Sequence, residues 1–194
     1  MSIKLRLASI WVPQYIKIHE LDRLALKTIN GLNDLLGHHE EFSPKKFKKK
    51  DIEGRRAEMA AIHNEKVKKL IDKYGYPKAI EIGRKSMYNA GFDLGVETRH
   101  RLGIGNSLKD LELAAKILYK ILGIEFRLEN RDEKLYLIVG YCDLANYYDC
   151  DTCKVLSAAD EGVIHGLWPG ASMKFIERIT ENKPECMALI RTES

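Results

Sequence analysis

The stretch Tyr141-Cys-Asp-Leu-Ala-Asn-Tyr-Tyr-Asp-Cys-Asp-Thr-Cys153 follows an apolar run and holds three of the four cysteines of the chain. The fourth, Cys186, opens another apolar run, and residues 1–141 contain no cysteine. If the two runs form neighbouring strands, the four sulfurs converge. Tetrahedral zinc takes four nitrogen or sulfur ligands, and iron–sulfur clusters are held by thiolates. We therefore expect a shared metal site, with zinc preferred and an iron–sulfur cluster as the alternative. Its ligands would be Cys142, Cys150, Cys153 and Cys186.

The cysteines have other interpretations. Free cysteine is often a small buried hydrophobe, which suits Cys142 and Cys186 on their apolar runs. The spacing Cys150-Asp-Thr-Cys153 also occurs in redox pairs, which usually begin a helix after a strand. The segment Met1–Arg6 lacks the apolar core of a signal peptide, so we expect a cytoplasmic chain, in which disulfides are rare.

The residues around this stretch predict a sheet. Ile124–Leu128 alternates apolar and polar residues with period two, which is typical of a strand, and a hairpin turn is expected after it. The further predicted strands are 135–139, 173–179 and 186–190, with a helix over 154–167 between the second and the third. The C-terminal half is thus expected to read β-β-α-β-β.

The N-terminal half is expected to be helical, apart from a short strand over 3–7. Apolar stripes with helical spacing cover four segments: 14–36, 52–74, 78–102 and 108–122. We predict an α+β fold, in which N-terminal helices pack on an antiparallel sheet. We divide the chain into residues 1–50, which hold a strand, a helix and a basic linker, and a ligand-binding α+β domain over 51–194.

The third predicted helix carries three glycines, although each glycine costs up to about 1 kcal/mol in a helix interior. Gly91 and Gly95 are one turn apart on the same face. This spacing indicates that a second backbone or a ligand approaches the helix closely. On the ligand interpretation, the contacts are Gly91, Gly95, Tyr88 and Arg84.

Two segments carry a resemblance to a known family. They are the helix Ile82-Gly-Arg-Lys-Ser-Met-Tyr-Asn-Ala-Gly-Phe-Asp-Leu-Gly95 and the later run Asp160-Glu-Gly-Val-Ile-His-Gly-Leu167, followed by Cys186 at the start of a strand. Over roughly residues 75–190 the chain resembles the 4-vinyl reductase domain and the related 2-amino-thiazoline-carboxylate hydrolase-like proteins.

The resemblance implies a domain that binds small, often hydrophobic molecules and holds zinc through cysteines near its C-terminal strands. It implies the same ligand role for the four cysteines of this chain. Family members usually have two cysteines in the last hairpin, whereas this chain has Cys186 alone, and Glu177 could serve as a ligand in place of the second.

The charge distribution argues against nucleic acid as a partner. Net charge is +4, and Lys45–Arg56 alone holds seven basic and two acidic residues, so the rest of the chain is close to neutral. A nucleic-acid-binding domain usually spreads a basic face over its surface. No apolar run approaches the length of a membrane span. Apolar strand edges would permit a homodimer.

Three functions fit these patterns. The first is a small-molecule-binding protein with a structural, cysteine-ligated metal, in which a pocket lies between the glycine-bearing helix and the sheet. The second is a metal-dependent, hydrolase-like enzyme, in which Glu161 or His165 acts as general acid or base. The third is an iron–sulfur protein. We expect the first.

Overall fold

The structure is a computed structural model that describes residues 12–38 and 41–192. The strand predicted over residues 3–7 lies outside this range. The helices are α1 (Gln14–Leu36), α2 (Ile52–Tyr74), α3 (Tyr76–Leu102), α4 (Leu108–Leu122) and α5 (Cys150–Leu167). The strands are β1 (Ile124–Arg131), β2 (Lys134–Cys142), β3 (Ala171–Glu177) and β4 (Cys186–Thr192). Short 3-10 turns lie at Pro44–Lys46, Asp143–Asn146 and Ile179–Glu181.

Side-chain caps fix where several helices begin. Ser107 accepts a hydrogen bond from the Asp110 amide at 3.2 Å. The Asp149 carboxylate accepts one from the Thr152 amide at 2.7 Å. Because of this second cap, α5 begins at Cys150, four residues earlier than the sequence pattern suggested. Cys150 and Cys153 therefore lie in the first turn of a helix.

The four strands form one antiparallel sheet in the order β1-β2-β4-β3. Asp132 and Glu133 both have positive φ, as the central residues of a two-residue hairpin turn require. One inward-facing row crosses all four strands. It consists of Leu128, Leu137, Ala188 and Phe175.

The predicted α+β class is confirmed. Helix α5 packs on β3, and α4 packs on β1. The main hydrophobic core joins α1, α2, α4, α5 and the sheet, with Leu21, Ile29, Met59 and Leu137 among its most buried members. The predicted division of the chain near residue 50 stays a prediction.

Glycines set the distance between α3 and α5, which make the most extensive helix–helix contact in the described chain. A Cβ atom on Gly91 would clash with the Ala159 carbonyl, and one on Gly95 would lie 2.5 Å from the Val163 carbonyl oxygen. In the reverse direction, Gly162 meets the backbone of α3. The close approach that the sequence indicated is therefore made by a second helix.

Among the described residues, no helix combines the length and the apolar composition that crossing a bilayer would require.

Candidate functional site

A cavity of about 80 Å³ lies inside the protein, between the sheet and the helices that cover it. We call it the inner cavity. Its wall is mostly apolar and includes Leu118, Val139, Leu156, Val163 and Phe175. No residue of α3 lines it. The sequence placed the ligand pocket between the glycine-bearing helix and the sheet. In the structure α5 packs against both α3 and β3, and the location of the ligand stays a prediction.

Buried polar groups make one wall of the inner cavity. His63 is 1 % exposed, and burial lowers the pKa of its imidazole to about 3, so the ring is neutral. The Thr28 hydroxyl donates to the Leu24 carbonyl at 2.8 Å and therefore accepts from Nε2 of His63 at 2.9 Å. Nδ1 of the neutral ring then accepts from the Tyr148 hydroxyl at 2.8 Å. This chain of hydrogen bonds leaves the Tyr148 oxygen free to accept a further bond.

Asp160 adds a carboxyl group to the cavity wall. Burial, with a smaller contribution from the neighbouring Glu161, raises the pKa of Asp160 to about 7. In the part of the chain that the structure describes, no hydrogen bond reaches this carboxyl group. Asp160 can therefore donate or accept a hydrogen bond near neutral pH.

Arg178 and Thr180 line the cavity next to β4. The Arg178 guanidinium donates to the Ser157 hydroxyl through Nε and Nη2, at 3.2 and 3.1 Å, and lies 3.6 Å from the Glu181 carboxylate. The buried Thr180 hydroxyl lies beside the Cys153 thiol, a weak hydrogen-bonding group, and has no other partner within the described ranges.

Three of the four cysteines, Cys142, Cys153 and Cys186, also line the inner cavity, whereas Cys150 does not. Burial raises the pKa of Cys142 to about 12 and that of Cys153 to about 11, and it also raises the pKa of Cys186. These thiols are therefore protonated and unreactive at neutral pH.

The thiols do not form a metal site in this arrangement. Within residues 12–38 and 41–192, no three side chains of His, Cys, Asp or Glu are placed to hold a metal ion together. Zinc needs deprotonated thiolates, and the apolar surroundings of these thiols favour the protonated form. The described geometry thus does not fit zinc or a cluster, both of which stay predictions.

The predicted ligand contacts and catalytic residues lie together on the α3–α5 interface. The Arg84 guanidinium donates to the Glu161 carboxylate at 2.7 Å, and the Tyr88 hydroxyl lies 2.6 Å from Nδ1 of His165. None of these four side chains lines the inner cavity. Gly91 and Gly95 are covered by the backbone of α5. Ligand contact by the two glycines, Tyr88 and Arg84 stays a prediction.

Glu161 has a structural role. Its second carboxylate oxygen accepts from the Phe175 amide at 3.1 Å, so this side chain ties α5 to both α3 and β3. The His165 ring packs against Phe92, with ring centroids 5.2 Å apart. General acid or base catalysis by Glu161 or His165 stays a prediction.

A second pocket, of about 340 Å³, lies between α1, α3, α4 and α5, and we call it the outer pocket. Apolar side chains line most of it, and its charged members are Glu20 and Arg101. Leu24, Leu118 and Val163 line both the outer pocket and the inner cavity. These three side chains therefore form the partition between the two spaces.

Sequence reasoning missed Asp160, Tyr148 and Arg178 as cavity residues. Asp160 had a usable signal, because Leu156, Ala159 and Val163 flank it at helical spacing on the buried side of α5. Arg178 follows a bulge between Phe175 and Glu177, where β3 loses its regular pairing with β4. No sequence pattern predicted this bulge.

Comparisons with known proteins support the fold. No protein-family model matches the chain, and no curated protein matches it. A solved structure of trafficking protein particle complex subunit 3 from Naegleria fowleri, covalently bound to palmitic acid, matches with a TM-score of 0.54 at 12% identity. The match covers 72% of this chain and 95% of that one.

Two further solved structures are similar at lower scores. The phenol-responsive sensory domain of the transcription activator PoxR with phenol has a TM-score of 0.48 at 17% identity and covers 84% of this chain and 89% of its own. An H-NOX protein from S. oneidensis in the Fe(II)NO state has a TM-score of 0.46 at 13% identity, covering 86% and 90%. The resemblance to 4-vinyl reductase domains stays a prediction.

Proposed function

We propose that the protein binds a small molecule with an apolar body and at least one hydrogen-bonding group, and that the inner cavity holds it. The observation that carries this proposal is a mostly apolar cavity in which the buried Thr180 hydroxyl has only the weakly bonding Cys153 thiol beside it, and in which none of the described groups forms a hydrogen bond with the Asp160 carboxyl group. A buried polar atom without a partner costs about 1–3 kcal/mol, and a bound ligand that pairs with it offsets that cost.

The fold is suited to this function. The trafficking complex subunit with a similar fold is covalently bound to palmitic acid, so a protein of this architecture can carry an apolar molecule. The proposal needs neither a metal nor a catalytic step. Cysteine-ligated zinc, an iron–sulfur cluster and a hydrolase-like reaction remain separate predictions from the sequence.

Calorimetric titration with 1-hexanol tests the proposal. This probe combines a slender apolar body with one hydroxyl group that can bond to Asp160 or Thr180. Because it needs more than the about 80 Å³ of the inner cavity, its chain must displace the partly buried Leu24 or Leu118 side chain of the partition. We expect saturable binding at one site per chain. Ala145 lines the inner cavity, so the Ala145→Phe variant fills part of the cavity and should weaken binding at least about tenfold.

Ala61→Phe is the matched control, because Ala61 is exposed on α2 and should leave hexanol binding unchanged. Circular dichroism checks that both variants keep the fold. Absence of saturable binding to the wild type would refute the proposal, as would equal affinities of the wild type and Ala145→Phe.

A further inference from the structure

We infer that the inner cavity and the outer pocket are two ends of one site for an elongated amphiphile, with an anionic head at Arg101 and an apolar tail that passes the partition. This inference rests on the proposed function. The inner cavity has about half the ~150 Å³ of an engineered apolar cavity that admits benzene. With the outer pocket of about 340 Å³, the combined site enters the range of roughly 300–1,000 Å³ that is usual for ligand sites.

The partition consists of side chains that can move. Leu24 and Leu118 are only partly buried, and their isobutyl groups separate the two spaces together with Val163. A rotamer change of a leucine requires no backbone movement, and exposed side chains change rotamer in picoseconds to nanoseconds. The tail of a ligand can therefore push these leucine side chains aside and pass between the two spaces.

Glu20 and Arg101, the two charged residues that line the outer pocket, belong to a wider ion-pair cluster that favours an anion. Arg101 pairs with Glu20 at 2.7 Å, and Glu20 also pairs with Arg23. Arg23 and Lys27 both reach Glu97. This cluster holds three cations and two carboxylates, leaving a surplus of one positive charge. A ligand carboxylate that joins Arg101 brings the cluster to neutrality.

The difference in solvent exposure between the two spaces sets the orientation of the ligand. The Arg101 side chain is 46% exposed, so a charged head bound there keeps much of its hydration. The inner cavity is lined mostly by buried apolar side chains, and its cation, Arg178, already pairs with Glu181, so an ionised head would lose its hydration there at a large cost. The head therefore stays at Arg101, and the tail extends inward past Leu118 toward Val139.

Titration with linear carboxylates from butanoate to dodecanoate, each matched by the alcohol of equal length, tests this orientation. Every added methylene that becomes buried should raise the affinity of the wild type roughly fourfold, since its transfer is worth about 0.8 kcal/mol. Leu118→Trp closes the partition. In this variant the affinity should stop rising at a shorter ligand chain than in the wild type, whereas the affinity for butanoate should stay within about twofold of the wild-type value.

Leu108→Trp, at the exposed start of the same helix, should follow the wild-type series. Arg101→Gln should weaken decanoate about tenfold or more and leave 1-decanol within about twofold. Arg131→Gln removes an exposed ion pair on β1 and should affect neither ligand.

Two results would overturn the inference. One is a chain-length series that Leu118→Trp leaves unchanged, and the other is an equal effect of Arg101→Gln on decanoate and decanol. If hexanol still binds in a manner sensitive to Ala145→Phe, the proposed function survives either result. If hexanol does not bind, both proposals fail.

Discussion

At the scale of single residues, Asp160 couples the stability of the protein to pH. Its pKa is about 7 in the folded protein against 3.8 as the ordinary value, so the folded state holds a proton that the unfolded state releases between these values. Stability contributed by this proton is complete below about pH 4 and is lost as pH rises to about 7.

Asp160→Asn removes this dependence because asparagine does not ionise. We expect the free energy of unfolding of the variant, relative to the wild type, to rise by up to roughly 4 kcal/mol between pH 4 and pH 8. Urea unfolding across this pH range measures the difference. A constant offset between the two proteins would show that the carboxyl group is not protonated in the fold.

The cysteine thiols should differ from one another in reactivity because their burial differs. Burial holds Cys142 and Cys153 in the thiol form, with pKa values of about 12 and 11. With a disulfide reagent at pH 8, we expect both to react at least about a hundredfold more slowly than in the unfolded chain. Cys150 lies outside the inner cavity and beside Lys154, and it should give the fast phase. Cys150→Ser should abolish that phase, and a fast phase that persists in this variant would contradict the cavity assignment.

At the scale of elements, the spacing of α3 and α5 depends on glycine at particular positions. Gly91→Ala places a methyl group against the Ala159 carbonyl, so the helices must separate, and we expect a loss of at least about 2 kcal/mol in the free energy of unfolding. Gly83→Ala is the control on the same helix. Its Cβ would lie 3.1 Å from a Val155 methyl group, and the gain in helix propensity should hold the change within about 1 kcal/mol. Equal effects in denaturant titrations would argue against close backbone packing.

The same elements show how far the sequence predicts the structure. Apolar periodicity predicted all the helices and strands described, because burial on one face leaves a repeating pattern in the chain. It could not tell which neighbour the Gly91 face meets. It also could not tell that Asp160 lines a cavity whereas the adjacent Glu161 pairs with Arg84, since periodicity shows which positions face inward but not what each of them contacts.

At the scale of the whole molecule, α1 belongs to the same hydrophobic core as the sheet. Leu21 and Ile29 belong to this core, Leu32 belongs to a second core formed with α2, α3 and α5, and all three are completely buried. Burial of three such side chains is worth roughly 5–9 kcal/mol, which is comparable to the whole stability of a domain. We expect a fragment of residues 51–194 to lack the cooperative thermal transition of the full chain. A fragment that melts cooperatively would instead support the domain division predicted at residue 50.

Methyl NMR of the full chain with 1-hexanol shows whether a small molecule occupies the inner cavity. Val139 is buried and lines the inner cavity, whereas Leu189 alternates with the inward-facing residues of β4 and lies on the opposite face of the sheet. We predict saturable shifts of the Val139 and Leu118 methyl groups and nuclear Overhauser contacts between Val139 and the hexanol chain, with no contact to Leu189. Contacts confined to Leu189, or shifts that never saturate, would mean that hexanol does not bind in the inner cavity.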